Sequence, residues 1–319
     1  MNILVTGASG FVGQQLCTAL TKSNFTVHAP VRDEKGLYYL SAGVKGIVTG
    51  DLGTITDWKF LLDGINVVVH LAARVHQMKD NERDQERAYQ KTNVAITYAL
   101  ANASSKAGVQ RFVFISSVKA LGESTVPGEA WNESAPCAPQ DAYGRSKLEA
   151  ENILLDISRK TRMEVVILRP PLVYGPGVKA NMYRLFKLVN NGIPLPFAMI
   201  NNLRSLLYIG NLVDAIRVSL DHPAAAGEVF LVSDGEDAST PELIRRIAHA
   251  LGRPERLFPF PPTLMRQLGR ISGKSGEIER LLDSLVIDTS KIRRVLSWKP
   301  PYKMEEGLKQ TADWFKRKL

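Results

Sequence analysis

Short apolar segments rich in β-branched residues alternate with longer amphipathic segments over the first half of the chain. The apolar segments predict β-strands over 2–6, 25–31, 46–50, 66–72, 111–116 and 164–170. Helical patterns fall between them, over 11–22, 54–63, 82–107 and 141–159. Nearly continuous apolar strands that alternate with helices are typical of a parallel sheet covered on both faces. We therefore predict an α/β fold with a doubly wound parallel sheet.

The pattern changes after Pro170. The segments "RPPLVYGPG" and "NGIPLPF" are rich in proline and glycine, and the last 80 or so residues show mainly helical patterns. One further strand is expected in "GEVFLVSD" (227–234), returning to the main sheet. We predict a first domain over 1–170, joined by the 205–235 region. A smaller, mostly helical C-terminal lobe is expected over 171–204 and 236–319.

Composition narrows the classes of protein. Hydrophobic residues make up 45% and charged residues 23%, as in ordinary globular proteins. Cys17 and Cys137 are the two cysteines, without metal-ligand spacing, so we expect neither a metal site nor a disulfide framework. The net charge of +9 favours solubility or an anionic small molecule. Because the basic residues are dispersed, we expect no nucleic-acid partner.

The chain also lacks the sequence features of a membrane or exported protein. No apolar run reaches the roughly 18–20 residues that a membrane-spanning helix needs. The N-terminal "MNILVTGASG" has no basic segment and enters a strand at once. We expect a cytoplasmic protein.

The segment "TGASGFVG" (6–13) joins the first strand to the first helix and spaces its glycines as G-x-x-G-x-x-G. Glycines at this turn allow the backbone to approach a pyrophosphate, and the helix N-terminus presents N–H groups to it. The strand-turn-helix context predicts a Rossmann-type dinucleotide-binding domain. The residues expected to contact the cofactor here are Gly7, Ser9, Gly10, Phe11, Val12 and Gly13.

The ends of the second and third strands bear on the choice of cofactor. An acidic residue after the second strand would bind the adenosine ribose of NAD, whereas arginine suits the 2′-phosphate of NADP. Arg32 lies at this tip and Asp33 follows it, so we favour NADP(H) and keep NAD(H) as the alternative. Asp51 and Leu52, after the third strand, are expected near the adenine.

Tyr143 and Lys147 lie four residues apart in "DAYGRSKLEAE", a predicted helix, and therefore on one face of it. An ammonium beside a phenol favours the phenolate, which would make the pair an acid/base device. The pair alone does not distinguish this hypothesis from two residues on a solvated helix.

Seven segments in order share a family resemblance: "TGASGFVG", "HLAARVH", "TNVAIT", "ISSVKALGE", "DAYGRSKLEAE", "RPPLVYGPG" and "RSLLYIGNLVDAI". With "DTSKIRRVLSWKP" near the C-terminus, the chain resembles extended short-chain dehydrogenase/reductases of the nucleotide-sugar epimerase, dehydratase and reductase branch. The form of "SSVKALGE" is also similar to a subgroup acting on UDP-N-acetyl-6-deoxyhexosamines in surface polysaccharide biosynthesis. The resemblance implies a UDP-sugar substrate and a homodimer.

The resemblance also assigns roles to residues. It implies that Tyr143, Lys147 and Ser117 are catalytic, with Ser117 chosen over Ser116 because it lies five residues before Gly122. Further cofactor contacts are implied for Leu71, Ala72, Ala73, Asn93, Tyr143, Lys147 and Pro170. Substrate contacts are implied for His76, Ser117, Lys119, Tyr143, Asn181, Arg204 and Arg280. We expect His70, in a buried strand, to be a core residue.

One departure from the family pattern limits the reaction. Relatives that dehydrate a sugar have Asp-Glu after the catalytic Ser/Thr, whereas this chain has Val118 and Lys119, which argues against a 4,6-dehydratase. The leading prediction is an NADPH-dependent UDP-4-keto-6-deoxy-N-acetylhexosamine 4-reductase. The alternative is a UDP-sugar 4-epimerase with tightly bound NAD. A non-catalytic dinucleotide sensor ranks below both.

Overall fold

The computed structural model describes residues 1–74 and 82–318. Its strands are, in chain order, β1 (Asn2–Thr6), β2 (Thr26–Val31), β3 (Lys45–Val48), β4 (Val67–His70), β5 (Arg111–Ile115), β6 (Glu164–Arg169), β7 (Leu172–Tyr174), β8 (Arg204–Tyr208), β9 (Val229–Leu231) and β10 (Asp237–Ala238). Seven of them form one sheet in the order β3-β2-β1-β4-β5-β6-β9, and every pair in it is parallel. The predicted doubly wound α/β fold is confirmed, including the return of β9 to this sheet.

Helices cover both faces of the seven-stranded sheet and fill the C-terminal lobe. They are α1 (Phe11–Lys22), α2 (Glu34–Leu37), α3 (Lys59–Leu62), α4 (Glu82–Tyr89), α5 (Ile96–Lys106), α6 (Ala142–Lys160), α7 (Ala180–Asn190), α8 (Ile209–Ser219), α9 (Thr240–Leu251), α10 (Pro262–Ile271), α11 (Ser275–Leu282), α12 (Ser290–Leu296) and α13 (Met304–Lys316).

The alternation of side chains along β1 shows how the two faces are buried. Ile3 and Val5 pack in a core with apolar residues of α1 and α8. Leu4 points to the opposite face and packs with residues of α5 and α6. Because successive strand side chains point to opposite faces, a strand buried on both sides reads as a continuous apolar run.

The lobe contains a small sheet that the sequence did not indicate. In it β8 pairs with β7 in parallel and with β10 in antiparallel orientation. α7, α9 and α13 pack beside it around Phe186, Ile247 and Phe315. The strands were missed because they have only two to five residues and β7 follows two prolines. The predicted division into 1–170 with 205–235 and 171–204 with 236–319 stays a prediction.

Two helix predictions need correction. The helix expected over 54–63 is a 3-10 turn (Leu52–Thr54) and the four-residue α3, because the Asp57 carboxylate accepts the Lys59 N–H at 2.9 Å and starts a new helix there. The single helix expected over 82–107 contains a π-helical segment, Gln90–Ala95, between α4 and α5. Such wide turns are frequent at functional sites. Among the described residues, no helix has the length and apolarity to span a bilayer.

Candidate active site

The glycine loop is shaped by close backbone contacts between β1, α1 and β4. Gly7 has φ +72°, and a Cβ on it would lie 2.8 Å from the Ala72 nitrogen, so a larger residue would push the two strands apart. A Cβ on Gly13 would collide with the Gly7 carbonyl, which itself accepts the Gly10 N–H at 2.9 Å. Gly10 is exposed and caps α1. This backbone cradle at a helix N-terminus fits the pyrophosphate of a dinucleotide.

The residues predicted near the adenosine lie at the carboxyl ends of β2 and β3, on the same edge of the sheet. Arg32 is exposed at the end of β2, and Asp33 accepts the Gly36 N–H at 3.0 Å as the N-cap of α2. Asp51 accepts the Gly53 N–H at 2.9 Å, and Leu52 packs partly into the core. Both aspartates therefore already cap short helices, and their predicted cofactor contacts stay predictions.

Lys147 is buried on α6 and faces the end of β5. Its side chain is 3% exposed, and Nζ donates a hydrogen bond to the Ile115 carbonyl at 2.8 Å. The ammonium lies 4.6 Å from the Phe114 ring centroid and 6.0 Å from that of Tyr143. Burial lowers the pKa of Lys147 to about 8, and Glu151 opposes the change.

Tyr143 is half-buried in the first turn of α6, one helical turn before Lys147. Burial is the main cause that raises the pKa of the Tyr143 phenol, and Asp141 and Tyr89 add to it. A side-chain hydrogen bond with Ser117 acts in the opposite direction. The structure therefore brings together the three side chains that were predicted to be catalytic.

Ser117 is held by the turn that follows β5. Its hydroxyl accepts the Lys119 N–H at 3.2 Å and opens a 3-10 turn, Val118–Ala120. The Val118 N–H donates to the Pro170 carbonyl at 2.9 Å, which joins this turn to the end of β6. A Cβ on Gly144 would collide with the Lys119 carbonyl, so the turn packs directly on the first turn of α6.

Asn93 lies in the π-helical segment and connects the loop after β4 to α6. It is 1% exposed; its Oδ1 accepts the Arg74 N–H at 2.8 Å and its Nδ2 donates to the Arg74 carbonyl at 3.2 Å. The same Nδ2 donates to Ser146 Oγ at 3.0 Å, and the Ser146 hydroxyl donates to the Tyr143 carbonyl at 2.8 Å. Asn93 thereby fixes the end of the segment that contains Leu71, Ala72 and Ala73.

Lys119 is engaged by two carboxylates. Its ammonium lies 2.9 Å from Glu123 Oε1 and 2.5 Å from Asp141 Oδ2. Asp141 is the N-cap of α6, where its Oδ1 accepts the Gly144 N–H at 2.7 Å. The predicted contact of Lys119 with substrate stays a prediction. Glu123 lies four residues after Lys119 and could have been paired with it from the sequence, whereas Asp141 lies 22 residues away and could not.

The two arginines predicted to bind substrate lie close together in the lobe. Arg204 Nη1 donates to the carbonyls of Arg280 and Asp283, at 3.0 Å each. Burial lowers the pKa of Arg204, Asp283 and Glu123 raise it, and the charge of Arg280 lowers it further. Asn181 is exposed at the start of α7, and His76 lies outside the described residues.

Comparison with known proteins places the chain among nucleotide-sugar enzymes. Residues 3–233 match the NAD dependent epimerase/dehydratase family. A UDP-glucose 4-epimerase of Vibrio cholerae is 45% identical over 320 residues, covering 98% of this chain and 95% of that protein. An N-acetyl-α-D-glucosaminyl-diphospho-ditrans,octacis-undecaprenol 4-epimerase of Escherichia coli O157:H7 is 28% identical over 98% of this chain and 95% of that protein.

A solved structure agrees over the whole length. The UDP-glucuronic acid 4-epimerase of Bacillus cereus, in complex with UDP-glucuronic acid and NAD, superposes with a TM-score of 0.81. It is 25% identical and covers 100% of each chain. The predicted resemblance to the nucleotide-sugar branch is confirmed.

Proposed function

This chain belongs to the NAD dependent epimerase/dehydratase family, and on that premise we propose that it is a UDP-sugar 4-epimerase that keeps NAD bound through each turnover. The observation that carries the proposal is its 45% identity, over 98% of its length, to the UDP-glucose 4-epimerase of Vibrio cholerae. The NAD-bound Bacillus cereus structure supports the same choice of reaction and cofactor. UDP-glucose and UDP-galactose are the substrate pair that we propose to test first.

The side chains at the end of β5 can carry the proton steps of this reaction. The glycine loop would hold NAD, whose nicotinamide would supply the acceptor and donor for a hydride at the sugar C4. Tyr143 would accept the proton of the C4 hydroxyl as the hydride leaves and give it back as the hydride returns. Ser117, whose side chain acts to lower the pKa of Tyr143, would hold the same oxygen.

Lys147 would favour the phenolate form of Tyr143 during the reaction. The buried ammonium lies 6.0 Å from the Tyr143 ring centroid and is fixed by the Ile115 carbonyl. A nearby positive charge favours the phenolate and so opposes the effect of burial on the pKa of Tyr143. The position of Lys147 in α6 also suits a contact with the cofactor ribose, which is the role that the family resemblance implies.

The two positions after Ser117 disfavour water elimination. Val118 is 4% exposed and packs in an apolar cluster, and Lys119 is ion-paired with Glu123 and Asp141. Neither side chain is a carboxylate that could donate and accept the protons of a dehydration. The site therefore supports oxidation and reduction at one carbon.

The NADPH-dependent 4-ketoreductase that leads the sequence analysis is the second candidate. It is favoured by Arg32, which is exposed at the end of β2, while Asp33 is occupied as a helix cap. The relatives favour the epimerase, because an epimerase name is carried by each of the three compared proteins. A homodimer in the cytoplasm also remains part of the proposal, and sedimentation of the purified chain tests the dimer.

One assay separates the two candidates. The purified chain is incubated with UDP-glucose or UDP-galactose without added NAD(H) or NADP(H), and the two UDP-sugars are resolved by chromatography. Interconversion in both directions is expected of the epimerase. If interconversion is absent and NADPH is consumed only with a UDP-4-keto sugar, the reductase is correct and the epimerase is wrong.

A further inference from the structure

A buried chain of hydrogen bonds connects the glycine loop to the catalytic helix through His70, which the proposed mechanism does not use. Thr6 at the end of β1 contacts His70 Nδ1 at 2.6 Å, and His70 Nε2 contacts Thr97 Oγ1 at 3.0 Å. Thr97 Oγ1 donates to the Asn93 carbonyl at 2.6 Å. Thr6, His70, Thr97 and Asn93 are each 0–1% exposed.

The direction of each bond follows from the number of hydrogens. A threonine hydroxyl has a single hydrogen, and that of Thr97 is used on the Asn93 carbonyl. Thr97 Oγ1 must therefore accept from His70, so Nε2 carries the ring hydrogen. Thr6 Oγ1 accepts the Ala72 N–H at 3.2 Å, which leaves its own hydrogen for His70 Nδ1. The Thr97 end requires a hydrogen on Nε2, and the Thr6 end can donate to an unprotonated Nδ1, so the neutral Nε2–H tautomer satisfies both ends.

The surroundings of His70 are consistent with a neutral ring. Burial lowers the pKa of His70 to about 3, and the charge of Lys147 acts in the same direction. The ring stacks on Phe114 with centroids 5.8 Å apart and packs against Phe112 at 5.9 Å. A ring held on two sides by aromatic residues and at both nitrogens by hydroxyls has one orientation.

Both ends of this hydrogen-bond chain lie next to residues that shape the candidate active site. Thr6 also binds Ala72, against which Gly7 packs, so one end is fixed to the glycine loop. At the other end, the Asn93 side chain binds Ser146, and Ser146 binds the Tyr143 carbonyl. A movement of the π-helical segment would therefore move the first turn of α6 relative to the loop.

We propose that His70 is a positioning residue, held as the neutral Nε2–H tautomer, and that the Thr6–His70–Thr97–Asn93 chain sets the position of Tyr143 relative to the cofactor cradle. Proton and hydride transfer both depend on the geometry of the reacting atoms. Loss of the chain is therefore expected to lower kcat more than substrate affinity. The kinetic part of this inference rests on the proposed epimerase function, whereas the tautomer does not.

The tautomer is tested without any substrate. The whole chain is labelled with ¹⁵N-histidine and its ring nitrogens are observed by NMR, with His70→Gln used to assign one of the five histidines. The Nε2–H form is expected, unchanged between about pH 5 and 8, whereas an unperturbed histidine titrates in this range. An Nδ1–H form, or titration of His70 within this range, would overturn the proposal.

The positioning role is tested by a matched pair of threonine variants. Thr97→Val removes the link between His70 and Asn93. Thr311→Val in α13 removes a hydroxyl of equal burial, 0% exposed, which makes the same bond of 2.6 Å to the carbonyl four residues earlier. We expect Tm to fall in both variants, and further in Thr97→Val because His70 Nε2 also loses its acceptor. A roughly 3- to 10-fold loss of kcat, the scale of one hydrogen bond, is expected only in Thr97→Val. Equal kcat values in the two variants would remove the positioning role.

Histidine variants provide the second readout. A glutamine amide can reach the position of Nε2 and donate to Thr97, so His70→Gln is expected to keep most of kcat. His70→Leu removes both bonds and is expected to lose kcat while UDP affinity is kept. If leucine and glutamine give the same kcat, the proposal is wrong. A wild-type chain without epimerase activity would instead count against the proposed function and leave the NMR result in force.

Discussion

The Lys119 ammonium lies 2.5 Å from the Asp141 carboxylate, and Asp141 caps the helix whose first turn carries Tyr143. Asp141 raises the pKa of Tyr143, because a negative charge disfavours the phenolate. Lys119 neutralises this carboxylate and is itself shared with Glu123. Lys119, which stands where dehydratases have an acidic residue, thus affects the pKa of Tyr143 through Asp141.

Removing the charge of Lys119 is expected to shift the pH dependence of catalysis. In Lys119→Met the Asp141 carboxylate loses the positive charge 2.5 Å away, so its effect on Tyr143 grows and the pKa of the phenol rises. The ascending limb of kcat/KM against pH should move upward by roughly 0.5–1 pH unit, at or just below the lower end of the range for a directly neighbouring charge. Lys119→Arg, which keeps the charge, should leave the limb in place.

A double variant distinguishes this effect from substrate binding. Asp141→Asn removes the negative charge but keeps a side-chain oxygen that can cap α6, since asparagine is as good an N-cap as aspartate. Adding it to Lys119→Met should return the limb to its original pH. If Lys119 instead binds the substrate, Lys119→Met raises KM without shifting the limb of the pH profile. Adding Asp141→Asn then does not restore KM.

Tyr143→Phe is expected to keep the fold and cofactor binding and to lose roughly 100- to 10,000-fold in turnover, the usual scale of acid-base catalysis. The ring that packs 6.0 Å from Tyr89 is retained, so the loss reports the hydroxyl. Tyr39→Phe, which changes an exposed tyrosine, is the control and should leave turnover unchanged. Near-full activity of Tyr143→Phe would show that another group transfers the proton.

Lys147 is expected to reduce stability at neutral pH. Its pKa is lowered to about 8 by burial, which means that the folded state holds the charged form less well than the unfolded state does. The resulting penalty is present below about pH 8 and disappears as pH rises toward the unfolded value of 10.5. In cofactor-free protein, Lys147→Met should therefore have a Tm at or above that of the wild type at pH 7.

The Tm difference between Lys147→Met and the wild type, measured as a function of pH, tests this prediction. The advantage of Lys147→Met in Tm should shrink between about pH 8 and 10, because the wild-type lysine becomes neutral in that interval. Turnover should be lost at every pH. A variant less stable than the wild type at pH 7 would show that the bond to the Ile115 carbonyl outweighs the desolvation of the charge.

Arg204→Ala is expected to weaken binding of UDP by roughly 10- to 150-fold, since a hydrogen bond to a charged group contributes about 1.5–3 kcal/mol. Arg204 also donates to two backbone carbonyls of the lobe, so a loss of UDP binding caused by a disturbed lobe must be distinguished from the loss of a direct contact. Arg256→Ala is a control for loss of an arginine that holds a backbone carbonyl, because Arg256 Nη1 donates to the Gly192 carbonyl at 3.0 Å at a more exposed place in the lobe. The Tm of both variants, measured beside the titration, reports the structural cost of the two carbonyl bonds of Arg204. Calorimetric titration with UDP should show a loss only for Arg204→Ala.

The sequence predicted those parts of the fold and site whose residues lie close together in the chain. Gly7 and Gly13 have no side chains because backbone must approach backbone, and this requirement is visible in seven consecutive residues. Tyr143 and Lys147 share a helix face, so their spacing predicts their proximity. Both features show in residues that lie close together in the sequence, although Gly7 is also constrained by Ala72 on the neighbouring strand.

The parts that were missed depend on long-range contacts. The π-helical segment around Asn93 forms where that side chain binds Arg74 and Ser146, which lie 19 and 53 residues away. Lys119 is paired with Asp141 across 22 residues. No periodicity indicates such pairs, and a charged residue near a catalytic serine suggests a ligand contact as readily as an ion pair.

The last prediction concerns the nucleotide that the protein keeps. An epimerase regains its hydride in the same active site, so retention of NAD costs it nothing, whereas a reductase must release spent cofactor in every cycle. The adenosine ribose of NAD has no 2′-phosphate for Arg32, which is exposed at the end of β2. The purified chain should therefore release near-stoichiometric NAD on acid denaturation, and Arg32→Ala should release the same amount. Asp33→Asn, which keeps an oxygen for the Gly36 N–H, serves as the neighbouring control. Release of NADP from the wild type, reduced in Arg32→Ala but not in Asp33→Asn, would establish the 2′-phosphate contact and return the assignment to the NADPH-dependent reductase.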